Sequence, residues 1–336
     1  MIHVAIVGMG GIGNTHGRCY QKNPNVKLVA VCDIIRERAD KAAAAFSCPA
    51  FYSVQDMLNS GIRLDAASMC TAGKENGGDH YQPTMELLGA GIAVLGEKPI
   101  SNEVSKAQEM VALAREKKLP YGINLNHRFT PAARRAKEWV DAGRCGEINM
   151  INMFMWISNP NETSPHFHMR ALHPHSIDVM RYFGGEVKKV HAFFKRGAGR
   201  VCWSNVHVNM LFENGVIGHL MGSYDGGGPG HPWGLERCEI VGMDARIVIE
   251  DACEHLHFQP RKSIASETYH YLGGMKSFGE TFQSRIDAWI DDLINRTPPE
   301  RVDGRAEDAL KAQQVIEAAI QSWESQKVVS LQEQGT

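Results

Sequence analysis

The chain opens MIHVAIVGMGGIGNTHGRCYQKNPNVKLVAVCD, residues 1–33, and the reading of this stretch decides the fold. An apolar run, Val4 to Val7, enters Gly8-Met9-Gly10-Gly11-Ile12-Gly13; a second, Val26 to Cys32, ends in Asp33. The order is strand, glycine turn, helix, strand, with an acid at the tip of the second strand. Each part has a role in holding a dinucleotide. Gly8 permits the tight turn, Gly10 lets the backbone approach a pyrophosphate, and Gly13 lets helix and strand pack closely. The helix that opens at Gly11 and Ile12 aims N–H groups and the positive end of its dipole at phosphates. Asp33 lies twenty residues past Gly13. A carboxylate there accepts both ribose hydroxyls and repels a 2′-phosphate, so NAD is expected over NADP. The bland alternative is a tight strand-to-helix turn with no ligand, and the acid in register argues against it. Arg36 and Arg38 are the right chemistry for a 2′-phosphate, but a solvated helix face is the simpler reading.

The chain has 336 residues and a formal net charge of −2, enough for two domains and without an electrostatic case for nucleic acid or membrane. The first residues form a strand and not a basic segment followed by an apolar one, and no apolar run approaches membrane-spanning length. A cytoplasmic enzyme is expected. The eight cysteines are scattered without a CxxC pair, which suits buried reduced thiols. There is no internal repeat.

Strand and helix alternate through the first third. Helices are expected at 36–46, 54–60, 81–90 and 104–117, and strands at 65–70, 93–96 and 121–125. That is the pattern of a doubly wound parallel sheet. A helix at 130–142 and a long strand at 147–157 follow. From residue 187 the pattern turns antiparallel, with strands at 187–194, 207–212 and 216–223, a hairpin signal at Asn214-Gly215, and a further pair at 238–241 and 245–250. Helices return at 281–295 and 305–325, around the Pro298-Pro299 break. The fold class is therefore α/β: a Rossmann domain over 1–123, then an α+β domain over 124–336 with a large open, mostly antiparallel sheet. Val208, Met210 and Phe212 alternate along one strand and need cover, so a homodimer or homotetramer built through the open face is expected.

Two motifs carry chemistry. Glu97-Lys98-Pro99-Ile100 follows the strand at 93–96, at the carboxyl end of the sheet where doubly wound folds bind ligands. A lysine there holds a substrate hydroxyl and steadies a developing alkoxide; by itself a surface Lys-Pro turn would be the better reading. His173-Pro174-His175-Ser176-Ile177-Asp178 places His175 and Asp178 on one helix face. An imidazole takes a proton from an alcohol at neutral pH; alone, the motif reads as a structural histidine. Histidines 166, 168, 173 and 175 also raise a metal site, with HFH and HPH alternating as on a strand. No carboxylate or cysteine completes a local set, so no metal is expected.

Together Gly8-x-Gly10-x-x-Gly13, Asp33, Glu97-Lys98-Pro99, Asn126-His127-Arg128-Phe129 and His175-x-x-Asp178 resemble the Gfo/Idh/MocA family, which includes glucose–fructose oxidoreductase and inositol dehydrogenases. The segment from Arg301-Val302-Asp303-Gly304 to Leu331 looks like that family's last helix and strand. The resemblance covers essentially the whole chain. It implies NAD-dependent oxidation of a sugar or cyclitol hydroxyl, with Lys98, His175 and Asp178 as catalytic residues. It implies cofactor contacts at Gly8, Gly10, Gly11, Ile12, Gly13, Asp33, Ile34, Thr71, Ala72, His80, Glu97, Lys98 and Asn126. It also implies a cis Lys98–Pro99 bond. The stretch from Trp156 to His175 is rich in polar and aromatic groups, as a sugar site requires; Arg128, Trp156, His168, Arg170 and His173 are the expected substrate contacts.

Two departures from the family pattern stand out. Ala171 replaces an aspartate four residues before the histidine, so another group must hold the sugar. An extra KENGGD, residues 74–79, precedes His80. The glycine-rich loop 226–232 reads as a flexible or subunit-contacting loop. A narrower likeness, carried by Asn126-His127-Arg128-Phe129-Thr130, by Met169 to Ser176 and by Gly226-Gly227-Gly228-Pro229, is to glycoside 3-dehydrogenases of the family, which oxidise the 3-hydroxyl of glucosides. Two other functions fit the same residues: redox-neutral glycoside cleavage through transient oxidation at C3, and a non-catalytic dinucleotide sensor. A sensor needs no proton acceptor, which argues against the last.

Overall fold

The computed structural model describes residues 1–73, 80–226, 235–251 and 254–331, so the insert at 74–79, the loop residues 227–232 and Cys253 lie outside the described residues. The chain divides into two compact units, Met1–Leu125 with Phe282–Leu310, and Asn126–Thr281 with Lys311–Thr336.

In the first unit the elements alternate as β1 (Ile2–Val7), α1 (Gly11–Lys22), β2 (Val26–Cys32), α2 (Arg36–Phe46), β3 (Ala50–Phe51), α3 (Val54–Asn59), β4 (Ala66–Met69), α4 (Tyr81–Gly89), β5 (Ala93–Gly96), α5 (Val104–Glu116) and β6 (Tyr121–Ile123). The strands form a six-stranded sheet in the order β3-β2-β1-β4-β5-β6. Every pair is parallel. Strands covered by helices on both faces are apolar throughout, and β4 and β5 are buried along their whole length. The strand order reverses between β1 and β4. Ligands of doubly wound sheets bind at the carboxyl ends beside such a switch point.

The expected division at residue 123 falls two residues from the observed one, but residues 282–310 belong to the first unit and not the second. Ile286, Trp289, Ile290 and Val302 are buried in one cluster with Val4, Ile6 and Val31. The buried Arg285 guanidinium donates to the carbonyls of Ile123 (3.1 Å) and Gly304 (3.4 Å), satisfying the end of β6.

The second unit contains α6 (Pro131–Asp141), β7 (Ile148–Trp156), α7 (Phe167–Gly184), β8 (Val187–Lys195), β9 (Asn205–Phe212), β10 (Ile217–Ser223), β11 (Leu235–Gly242), β12 (Ala245–Glu250), β13 (His255–Pro260) and β14 (Glu267–His270). Helices α8 (Gly279–Asn295) and α9 (Ala306–Ser325) follow, then β15 (Val329–Ser330). The sheet has nine strands in the order β14-β13-β12-β11-β7-β10-β9-β8-β15. It is antiparallel except for β7 with β10.

Val208, Met210 and Phe212 are buried, and they share a cluster with Ile177, Met180 and Phe183 of α7. Their cover comes from within the unit, which corrects the argument that they need a partner chain. The apolar surface lies on the opposite face: Phe193 is 52% exposed and Ile217 57%. Cys19, Cys32, Cys70, Cys145, Cys202 and Cys238 are free and buried, and burial pushes the Cys19 thiol up to about 11. No described helix is long and apolar enough to cross a membrane.

Candidate active site

The glycine turn is shaped by sterics. Gly8 has φ +92°, and a Cβ there would collide with the backbone of Cys70 and Thr71 at the end of β4. A Cβ on Gly13 would strike the Gly8 carbonyl, so β1 and α1 touch backbone to backbone. Gly10 and Gly11 instead face open space. Helix α1 starts at Gly11 with Gly10 as its N-cap and no side chain capping it. The first-turn N–H groups and the positive end of the helix dipole are therefore left uncapped at an open backbone surface, as a pyrophosphate requires. Asp33 is buried at the tip of β2; its Oδ2 accepts the Met9 N–H at 2.7 Å and its Oδ1 the Ile35 N–H at 2.8 Å. Each oxygen keeps further lone pairs for ribose hydroxyls. Ile12 and Ile34 flank this rim and are exposed, Ile34 at 86%. The residues present fit a dinucleotide without a 2′-phosphate.

The Glu97-Lys98-Pro99 turn leaves β5 through a cis Lys98–Pro99 bond. Glu97 is buried. Its Oε1 accepts from His16 Nε2 (3.0 Å) and from Asn124 Nδ2 (2.5 Å). His16 Nδ1 meets Ser68 Oγ at 2.9 Å, and Tyr20 pairs with the same hydroxyl at 2.7 Å. Burial pushes the Glu97 carboxyl up, but His16, Lys98 and Asn124 together hold it below the usual carboxylate range. Burial pulls Lys98 below the usual lysine value, with the Glu97 carboxylate opposing. His80 spans the Pro99 and Thr71 carbonyls, 2.9 Å from each. It ties the Lys98 turn to the end of β4, with Ala72 exposed alongside. The sequence reading missed His16. Its signal was a polar residue on the buried face of α1 opposite Ser68, the polar residue of an apolar strand.

In the second unit, residues Asn126–Phe129 form a buried 3-10 turn. Asn126 Nδ2 donates to Thr281 Oγ1 at 2.5 Å. Arg128 grips Asp178 with two prongs, Nε to Oδ2 at 2.8 Å and a second bond to Oδ1. Asp178 thus serves the Arg128 guanidinium. His175 and Asp178 both lie on α7, as their spacing implied. The 6%-exposed His175 ring packs on His127, centroids 4.3 Å apart. His127 Nδ1 donates to Glu236 Oε1 at 2.6 Å. Glu236 was also missed, as was the role of His127, quoted only within the Asn126–Phe129 motif; the two meet from positions far apart in the sequence.

The polar stretch before His175 is largely turned inward. His168, His173 and His175 lie on α7, which runs through Pro174 without a break, and His166 is its N-cap, so neither pair sits on a strand. His168 and His173 are fully buried, with Nε2 atoms 3.0 Å apart. The Trp203 carbonyl accepts only, so His168 donates to it from Nδ1 (3.2 Å) and its Nε2 accepts from His173. His173 Nδ1 then accepts from Ser176 Oγ at 3.0 Å. Arg170 is held by both Glu317 oxygens at 2.8 Å. Glu162 accepts the N–H groups of Val201 and Cys202, and these bonds hold its carboxyl at about 2. Trp156 ends β7, half-buried, its ring 6.4 Å from Phe154. Among the described residues no group of three or more His, Cys, Asp or Glu side chains is arranged to hold a metal ion.

The histidine pair has a consequence for stability. Burial pushes His168 down to about 4 and His173 well below its ordinary value. Unfolded, both titrate near 6.5, so the unfolded chain binds more protons below that pH. The stability they confer is full above about pH 6.5 and is lost as pH falls toward 4. His168 alone accounts for about 3 kcal/mol of that loss. Urea titrations at pH 7.5 and 5 should show the drop in wild type and a smaller one in His168→Asn. An equal drop in both would remove the pair as its source.

Comparison with known proteins adds the following. The profile of the GFO/IDH/MocA oxidoreductase family, NAD-binding Rossmann fold, matches residues 2–125, and that of the GFO/IDH/MocA C-terminal domain matches residues 133–248. Inositol 2-dehydrogenase of Rhizobium meliloti is 24% identical over 193 residues, 55% of this chain and 56% of that protein. D-glucoside 3-dehydrogenase of Escherichia coli is 28% identical over 148 residues, 44% of this chain and 41% of that one. The chain thus spans about half the length of these curated relatives. A crystal structure of an Agrobacterium radiobacter oxidoreductase in complex with NAD+, L-tartaric acid and magnesium superposes with a TM-score of 0.87 at 16% identity, covering 99% of each chain. Two matched domains, in order and over most of the sequence, place this chain in the Gfo/Idh/MocA oxidoreductase family, with an NAD-binding Rossmann unit at its N-terminus.

Proposed function

We propose that this chain is an NAD-dependent dehydrogenase of a secondary hydroxyl on a sugar, glycoside or cyclitol, with C3 of a glycoside as the narrower reading. The observation that carries it is the family match across both units in a chain that retains Lys98 and His175. The inositol 2-dehydrogenase and D-glucoside 3-dehydrogenase relatives support the substrate class.

NAD held by the Gly8–Gly13 turn and Asp33 supplies a two-electron acceptor for the carbinol carbon. Lys98, beside the Glu97 carboxylate that opposes its desolvation, orients the substrate oxygen and in its protonated form steadies the negative charge that grows on it. His175 takes the hydroxyl proton. Asp178 acts through Arg128, fixing the 3-10 turn against α7. Trp156 offers an aromatic face to the sugar's C–H surface. Arg128, His168, Arg170 and His173, each bonded within the unit, hold the walls of the site. In the assembled protein we place a homodimer or homotetramer on the sheet face that exposes Phe193 and Ile217; a monomer by light scattering at micromolar concentration would contradict this.

The test is a panel of sugars, glycosides and cyclitols with NAD+ followed at 340 nm, with the new ketone located by carbon NMR. Turnover of at least one member is expected. NAD binding without turnover of any member would favour a sensor. With the substrate so found, kcat/KM for NAD should exceed that for NADP at least about tenfold, the scale of one charge-assisted contact, and Asp33→Ala should narrow the gap. Equal use of both cofactors would sink the role given to Asp33.

A further inference from the structure

The environment of His175 brings the His127 ring of the Asn126–Phe129 turn against Glu236, a residue that no motif contains. The His175 ring lies 4.3 Å from the His127 ring at 34°, and His127 in turn packs on Phe278 at 5.2 Å. On its edge, His127 Nδ1 meets the Glu236 carboxylate, whose side chain is 16% exposed. We propose that His127 and Glu236 form a carboxylate-backed imidazole that braces the His175 ring and keeps it neutral and ready to accept a proton. Both are positioning residues. The inference rests on the reading of His175 as the proton acceptor.

Two imidazoles stacked this closely do not both take up a proton cheaply, because like charges in a partly dry site repel. The Glu236 carboxylate touches one ring of the pair and decides which ring takes the proton first. It also holds His127 in place through a charge-assisted hydrogen bond, so the face presented to His175 is fixed. The other charged groups around the pair do not reverse this bias. Arg128 and Asp178 neutralise each other. His168 and His173 on α7 are held uncharged by burial. Asp251 lies behind Glu236, its Oδ1 3.4 Å from the Glu236 backbone nitrogen. The core-facing residues of β7 and β10, which pack on α7, are Ile151, Met153, Met155, Gly218, Leu220 and Gly222, none charged.

Glu236→Gln removes the charge and keeps an oxygen that accepts from His127. Imidazole nitrogen NMR of the full-length protein, labelled at histidine and titrated without cofactor, reads the rings directly. In wild type, His127 should take up its proton at higher pH than His175. In Glu236→Gln the His175 midpoint should move up by about one pH unit, tenfold in proton affinity. The acid limb of kcat/KM should move with it, leaving about tenfold less activity at pH 6. Protonation of His175 before His127 in wild type overturns the proposal without any variant. An unmoved His175 midpoint in a folded Glu236→Gln protein, checked by circular dichroism, overturns it as well. If the midpoint moves but His175→Asn keeps full activity, the brace stands and the role of His175 as proton acceptor falls.

Discussion

Lys98→Ala and His175→Ala should each lower kcat by roughly 100-fold or more, the usual scale for losing a positioned acid–base group. Both should bind NADH with near wild-type affinity, measured by calorimetry or fluorescence. Lys98 is one of many expected cofactor contacts, and the groups that would hold the phosphates and ribose are elsewhere: the Gly8–Gly13 turn, the uncapped start of α1 and the Asp33 carboxylate. The pH profile sharpens the test. Burial lowers the Lys98 ammonium below its ordinary 10.5. The protonated form is lost as pH rises through that lowered value. The basic limb of kcat/KM should therefore fall below pH 10.5 in wild type. It should be absent in Lys98→Arg, whose guanidinium stays charged. Full activity in both alanine variants would mean that the chemistry is not carried by these two residues.

Asp178→Ala should cost the second unit about 3–5 kcal/mol of stability, the range for breaking a buried ion pair from one side. Arg128 and Asp178 are 5% and 1% exposed, and their two-pronged contact leaves neither charge in water. Removing the acid takes the two-pronged carboxylate away from a buried guanidinium. Replacing both partners by apolar residues, Arg128→Met with Asp178→Leu, should recover most of the loss, because no charge is then left uncompensated. Urea denaturation followed by tryptophan fluorescence measures all three. A single variant as stable as wild type would show that the pair contributes nothing, and would leave Asp178 open to a direct part in the chemistry.

Residues 1–33 were legible because every local signal agrees there: apolar runs of strand length, glycines at turn positions and an acid in register. The Glu97-Lys98-Pro99 turn was legible for the same reason. What stayed hidden depends on partners distant in the chain. The periodicity of 281–295 says helix but not which core receives it, and Trp289 closes the first unit's core. The stretch 156–175 read as a sugar-binding surface because its side chains are polar. Their partners are the Trp203 carbonyl, Glu317, Glu324 and the backbone of 201–202, which sequence spacing does not reveal. Val208, Met210 and Phe212 correctly marked one face of a strand as apolar. Periodicity does not say whether a helix or a second chain covers it. His16 and Glu236 belong to no motif, and His127 was quoted in one without a role; they become visible only where α1 meets the Lys98 turn and where the 3-10 turn meets β11 and α7.

The central claim is oxidation at a carbinol carbon with transfer of its hydrogen to NAD. A responding substrate deuterated at the carbon that becomes the ketone tests it most directly, in a single turnover with enzyme in excess and mass spectrometry of the cofactor. One deuterium in the reduced nicotinamide is expected, with a ketone product formed in equal amount. Deuterium recovered only in solvent, or turnover that yields neither reduced cofactor nor ketone, would contradict the claim.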